Sequence, residues 1–219
     1  MNLPSGLLPA AWYWVAHGLL GTLAIIVALR APWQRLLNPA VLHLWLGMIV
    51  ALSLLWSIRT GLRPGLTFHL LGATACTLLF GRELGLVAML LVVAAQVLSG
   101  AIAPWTFSLN ASVMAAFPVA VSHALLRIVQ TRLPRNVFVY IFAAAFFGGA
   151  LTMMATGVLG SVLLGLAGAY DREYLWSEYL LWFVLMSWAE AFISGGMLTF
   201  AVVYRPSWVA TFDERCYFG

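Results

Sequence analysis

Seven apolar runs joined by short connections leave this chain one kind of environment. They cover Ala11–Leu29, Ala40–Ile58, His69–Phe80, Leu84–Gly100, Phe107–Val129, Val137–Leu166 and Glu178–Tyr204. Only 8% of the residues are charged, against about a quarter in a soluble domain. A chain of 219 residues holds roughly six or seven crossings of about 20 residues, with no room for a soluble domain besides. The predicted fold is therefore all-α: a polytopic membrane helical bundle of about seven transmembrane helices. Residues 1–204 form a single transmembrane domain and 205–219 a short tail. The third run is short for a crossing and must tilt, lean on neighbours or borrow from its loops. The sixth is glycine-rich from Gly148 to Gly168, which predicts a kink or an end before Ala169.

Arginine sets the orientation. All 11 basic residues are arginine. With the N-terminus outside, the inner connections carry Arg30, Arg35, Arg82, Arg127, Arg132, Arg135, Arg205 and Arg215. The outer ones carry Arg59, Arg63 and Arg172. Eight against three is the positive-inside asymmetry, and it puts the tail in the cytoplasm. The net charge of +4 is thus read as orientation and not as nucleic-acid binding. The first residues carry no Lys or Arg and so lack the basic start of a secretory signal. Asn2 is too large for ordinary methionine removal, so Met1 is expected to stay. Trp12, Trp14, Trp105 and Trp176 fall near the expected outer boundary, where aromatic anchors belong.

This placement gathers the terminal amine, His69, Gln96 and Asn110 at the outer end. His69 is expected to open its helix and to be wetted from outside, as either a cap or a ligand for nickel, cobalt, copper or zinc. Cys76 lies two turns further on and is read as packing with Gly72, Ala73 and Thr77. Neither Cys76 nor Cys216 suggests a disulfide framework. His43 with His123 is the one pair at suitable depth for haem ligation, and haem is disfavoured. His17 lies partway into the first helix. Glu190, mid-helix in the last run, is read as a hydrogen-bonded structural carboxyl in preference to part of a translocation route. Thr152, Thr156 and Gly160 recur at a spacing that allows close helix approach. There is no P-loop, GxSxG or HExxH, so no enzyme signature is present and any active transport must be driven from elsewhere.

Four stretches resemble the CbiM/NikM family, the substrate-capture membrane subunits of cobalt and nickel energy-coupling-factor transporters. They are Met1-Asn2-Leu3-Pro4-Ser5-Gly6-Leu7-Leu8; Thr67-Phe68-His69-Leu70-Leu71-Gly72-Ala73; Gln96 with the glycine-bearing loop to Asn110; and Ala189-Glu190-Ala191-Phe192-Ile193. The resemblance implies seven spans in this orientation. It implies a metal held by the Met1 amine, the backbone nitrogen of residue 2 and the His69 imidazole, with Gln96, Asn110 and Glu190 as supporting polar groups. Asn2 departs from the family, which has a second imidazole there, and Ser99-Gly100 stands where an acidic residue is usual. The expected function is the permease or substrate-binding subunit of an importer for a nickel- or cobalt-like ion in a bacterial inner membrane. Its partners would be the bilayer, a coupling transmembrane subunit and ABC ATPases. The alternative is a non-transporting accessory or assembly subunit of a larger membrane complex.

Overall fold

In lipid, every backbone N–H and C=O must find its partner within the protein, which restricts apolar runs to helices. The computed structural model describes residues 3–58, 60–63 and 66–217; Met1, Asn2, Arg59 and the Cys216 side chain lie outside what it describes. Five helices are long and apolar enough to cross a membrane: α1 (Ala10–Arg30), α2 (Pro39–Ser57), α5 (Pro104–Arg132), α6 (Val137–Leu166) and α7 (Arg172–Tyr204). Between α2 and α5 lie two shorter helices, α3 (Ala73–Phe80) and α4 (Arg82–Leu98). Each of these helices falls on one of the apolar runs, with ends that differ by several residues. The entry to α2 follows directly from sequence. Asn38 accepts a bond from the Ala40 N–H at 3.0 Å, and Pro39 occupies the first helical position, where its missing N–H costs nothing.

Two features differ from the expectation. The connection before His69 is a small antiparallel ribbon, β1 (Thr60–Arg63) with β2 (Leu66–Phe68), whose Leu66 is fully buried. The third helix starts at Ala73, not at His69. Gly72 adopts φ +70°, a left-handed conformation that ends any regular backbone and that L side chains resist. His69 therefore lies in an irregular segment, and it does not share a helix face with Cys76.

At eight residues, α3 is about 12 Å long and cannot span a hydrocarbon core of about 30 Å. All of its side chains are buried, because its neighbours close around it. On α4, a Cβ at Gly85 would stand 2.9 Å from the Cys76 carbonyl oxygen, so only glycine lets the two backbones meet. A buried helix must also satisfy its end groups. At the C-terminal end the chain's own tail does so. The Ala210 N–H donates to the Leu79 carbonyl at 2.8 Å, and the Thr211 hydroxyl to that of Leu78 at 2.8 Å. Val209 and Phe212 bury themselves there, and Phe212 stacks on Tyr217 with centroids 4.8 Å apart. The tail is thus folded against the bundle.

Along α6, the buried Gly149, Thr152, Thr156, Gly157 and Gly160 make the seam on which α7 packs. A Cβ at Gly157 would run into the Phe183 ring. The helix ends at Leu166, just before Gly168 with φ +66°. In α5 a widened turn over Ser112–Ala116 immediately precedes Pro118, whose missing N–H interrupts the ladder. Apolar side chains such as Leu29, Leu54, Phe192 and Phe200 point outward, as a lipid-facing surface requires.

Candidate metal-capture site

Successive segments alternate in direction, so residues 3–9, the His69 loop, the α4–α5 loop and the α6–α7 loop share one end of the bundle. Arg30, Arg82, Arg132 and the tail share the other.

His69 is 3% exposed, a correction to the wetted position expected of it. Its ring lies against Trp56 of α2, with centroids 4.4 Å apart. Its Nδ1 lies 3.1 Å from the Leu70 carbonyl oxygen. A carbonyl only accepts, so this bond places the proton on Nδ1 and the lone pair on Nε2, the arrangement a metal-binding imidazole needs. Trp56 also donates its indole N–H to the Leu71 carbonyl at 3.2 Å, fixing the loop from the α2 side.

From the opposite side Glu190 holds the same loop. Its two carboxylate oxygens accept the N–H groups of Leu71 at 2.8 Å and Gly72 at 2.7 Å. Successive N–H groups turned towards one anion form a nest, and the start of α3 adds a favourable dipole. This accounts for a carboxyl only 1% exposed in the middle of an apolar helix.

Asn110 acts on a different segment. Its Oδ1 accepts the Leu3 N–H at 2.8 Å, and its Nδ2 donates to the Leu3 carbonyl at 3.0 Å. The side-chain amide thus pairs with Leu3 as a neighbouring strand would. Thr106, one turn earlier, accepts from the same Nδ2 through its carbonyl at 3.0 Å and fixes the amide's orientation. Leu3 is 1% exposed, and the Tyr13 hydroxyl donates to the Pro4 carbonyl at 3.0 Å. Residues 3 and 4 are therefore fastened inside the bundle.

Gln96 donates to the Ser53 carbonyl of α2 at 3.0 Å, one turn from Trp56. Its own carbonyl accepts the N–H groups of Ala101 and Ile102. It braces α2, α4 and the following loop, and does not bond the His69 loop directly.

Of the expected metal donors, His69 is placed by the structure, while Met1 and Asn2 lie outside the described residues. Among the described residues no three His, Cys, Asp or Glu side chains group to hold an ion. The expected set, an amine, a backbone nitrogen and one imidazole, is not a cluster of that kind. The haem pair fares differently. His43 is exposed on the outer face of α2, while His123 is half-buried on α5 with Arg82, Glu83 and Arg127 as its charged neighbours. His17 packs against Trp14 and Trp105. Trp56 and Thr106 were not singled out by sequence; a tryptophan in the last turn before the His69 loop was the available signal.

The described structure is a helical membrane bundle with an N-terminal segment fastened at the end where His69 is buried, and the comparisons with known proteins make it a component of a metal-transport system and not an enzyme. The model of the CbiM family, described as the cobalt uptake substrate-specific transmembrane region, matches residues 2–208, and the chain belongs to that family. No curated protein sequence matches the chain. A crystal structure of a truncated transition metal transporter superposes with a TM-score of 0.78 at 16% identity, covering 92% of this chain and 98% of that one. At that identity the likeness shows a shared fold.

Proposed function

We propose that the chain is the substrate-binding membrane subunit of an energy-coupling-factor-type importer in a bacterial inner membrane, its substrate a divalent ion of the nickel or cobalt kind. The observation that carries this reading is the capture of Leu3 by Asn110. It fastens the chain directly after Met1 and Asn2, at the end of the bundle where His69 is buried with Nε2 as its lone-pair nitrogen. The ion's donors are then the Met1 amine, the Asn2 backbone nitrogen and His69, with Asn110 and Glu190 holding the two segments that bear them and Gln96 bracing their surroundings. Nitrogen donors suit these ions better than an amide oxygen does. All seven helical segments lie in the membrane region, the arginine-poor end outside and the tail cytoplasmic, in keeping with the arginine asymmetry. Since the sequence carries no nucleotide-binding motif, a coupling subunit and ATPases supply the energy.

Elemental analysis of detergent-purified protein, wild type beside His69→Ala, tests this. A near-stoichiometric metal that disappears in the variant is the expected result. Metal absent from both proteins would overturn it and favour the accessory-subunit reading, for which Asn2, in place of a second imidazole, is the specific observation.

A further inference from the structure

At the arginine-rich end a crevice of about 260 Å³ opens between α1, α4 and α5. Its lining carries the buried Val27 of α1, Leu86 of α4 and Val119 of α5, with Ala116 and the exposed Ala120 of α5 beside them. The two alanines stand one turn apart, and their small side chains leave the gap. α1 rests mainly on the first turns of α5; further along it Val27 is buried, while Ile26 and Arg30 stay exposed beside the crevice. At the mouth are Arg30, in the last turn of α1, and Arg82 and Glu83, at the start of α4.

We propose that this crevice binds one phospholipid with an anionic headgroup, its acyl chain on the apolar wall and its headgroup phosphate at Arg30 and Arg82. Three observations converge. The cationic groups lie at helix ends, at the level of the membrane surface, and the alanines lie halfway along α5. That is the polar-to-apolar order of a lipid in this leaflet. Next, Arg82 holds Glu83 at 2.6 Å, and among the described residues Arg30 has no ion pair, so the mouth keeps one uncompensated positive charge. Guanidinium groups bind phosphate oxygens in a bidentate fashion, and basic pockets between helices select anionic headgroups. Finally, an apolar gap facing the bilayer is filled by acyl chain, since a void forfeits contacts on one side. The proposal is independent of the identity of the transported ion.

Native mass spectrometry of the full chain tests it, with dioleoylphosphatidylglycerol and dioleoylphosphatidylcholine titrated separately. One phosphatidylglycerol should be retained about fivefold more strongly than phosphatidylcholine, the effect of one net arginine charge near the membrane surface. Arg30→Gln should abolish that preference while lipid is still retained. Ala120→Leu, which fills the crevice, should lower retention of both lipids. Arg30 and Ala120 are exposed, so both variants should fold, which size-exclusion profiles check. Equal retention of the two lipids by the wild type, a preference that survives Arg30→Gln, or retention unchanged by Ala120→Leu would overturn the proposal.

Discussion

Replacing Glu190 with alanine removes the acceptor from two buried N–H groups at once. Leu71 and Gly72 donate to it at 2.8 and 2.7 Å, and both N–H groups lie among fully packed residues with no lipid or bulk water to take the acceptor's place. Each buried donor left unsatisfied costs about 1–3 kcal/mol, so the His69 loop should lose about 2–6 kcal/mol of local stability. If local opening governs exchange, the amides of residues 71 and 72 should exchange about 30-fold to 10⁴-fold faster, at about 1.4 kcal/mol per decade. Glu190→Gln keeps one acceptor oxygen but turns an NH₂ towards the other N–H. It should lose about half as much, about 1–3 kcal/mol. Hydrogen–deuterium exchange resolved at the His69 loop measures both variants, and it reads the clamp whether or not metal is present. Exchange as slow in Glu190→Ala as in the wild type would refute the clamp. If the clamp holds, metal retention should fall in the same order as loop protection, because His69 lies two residues from the nearer bond.

The remaining predictions concern the other fastenings. Asn110→Leu keeps the forked side-chain shape but removes both bonds to Leu3, at a cost of about 2–6 kcal/mol to that segment. Limited proteolysis ahead of Tyr13 should accelerate while the far-ultraviolet circular dichroism is unchanged; continued resistance would count against the clip. Gly72→Ala forces a side chain onto φ +70° and into Leu52, costing about 2–5 kcal/mol, which a lower Tm in detergent should show. Thr211→Val removes the bond to the Leu78 carbonyl and the 2.7 Å contact with the Tyr140 hydroxyl. Exchange in the tail should quicken by about tenfold, for about 1–1.5 kcal/mol, and no change would mean that the Ala210 bond and the buried Val209 and Phe212 hold the tail without the Thr211 hydroxyl.

Hydropathy located the five long helices because burial in lipid demands apolar side chains around the whole helix, a signal that needs no tertiary information. It failed at the third segment for a physical reason. His69-Leu70-Leu71-Gly72 is as apolar as the helix that follows, and what ends the helix is the conformation of Gly72, which Glu190 stabilises from 118 residues away. The β ribbon was equally hidden, since its strands are short and, among the described residues, only Leu66 and Phe68 bury side chains. The supporting polar groups were legible as residues that are expensive in a membrane. Their partners were not, because Glu190 and Asn110 bond backbone groups, which every residue carries. Nothing in the sequence singled out Trp56, which the fold turns inward to 1% exposure.

Irregular backbone at membrane depth is tolerated only where protein supplies its hydrogen-bond partners or where it lines a cavity. This bundle admits two such segments at one end, residues 3–9 and 69–72, where continuous helices would have needed no help. Each is held by a side chain acting as a substitute backbone: the Asn110 amide pairs with Leu3 as a strand would, and the Glu190 carboxylate gathers two N–H groups as a cap would. Packing α-helices alone would satisfy the same groups without buried amides or carboxyls, and their presence here is what the proposed binding role accounts for. Two fastened irregular segments at the same end, one bearing an imidazole, are what a binding site in a membrane requires. A transported ion needs donors held in place, and helices closed along their whole length present none from their backbones. The same reasoning explains α3. Shortened to eight residues, it leaves room at that end for the loop carrying His69, and the tail closes the carbonyls exposed at the other.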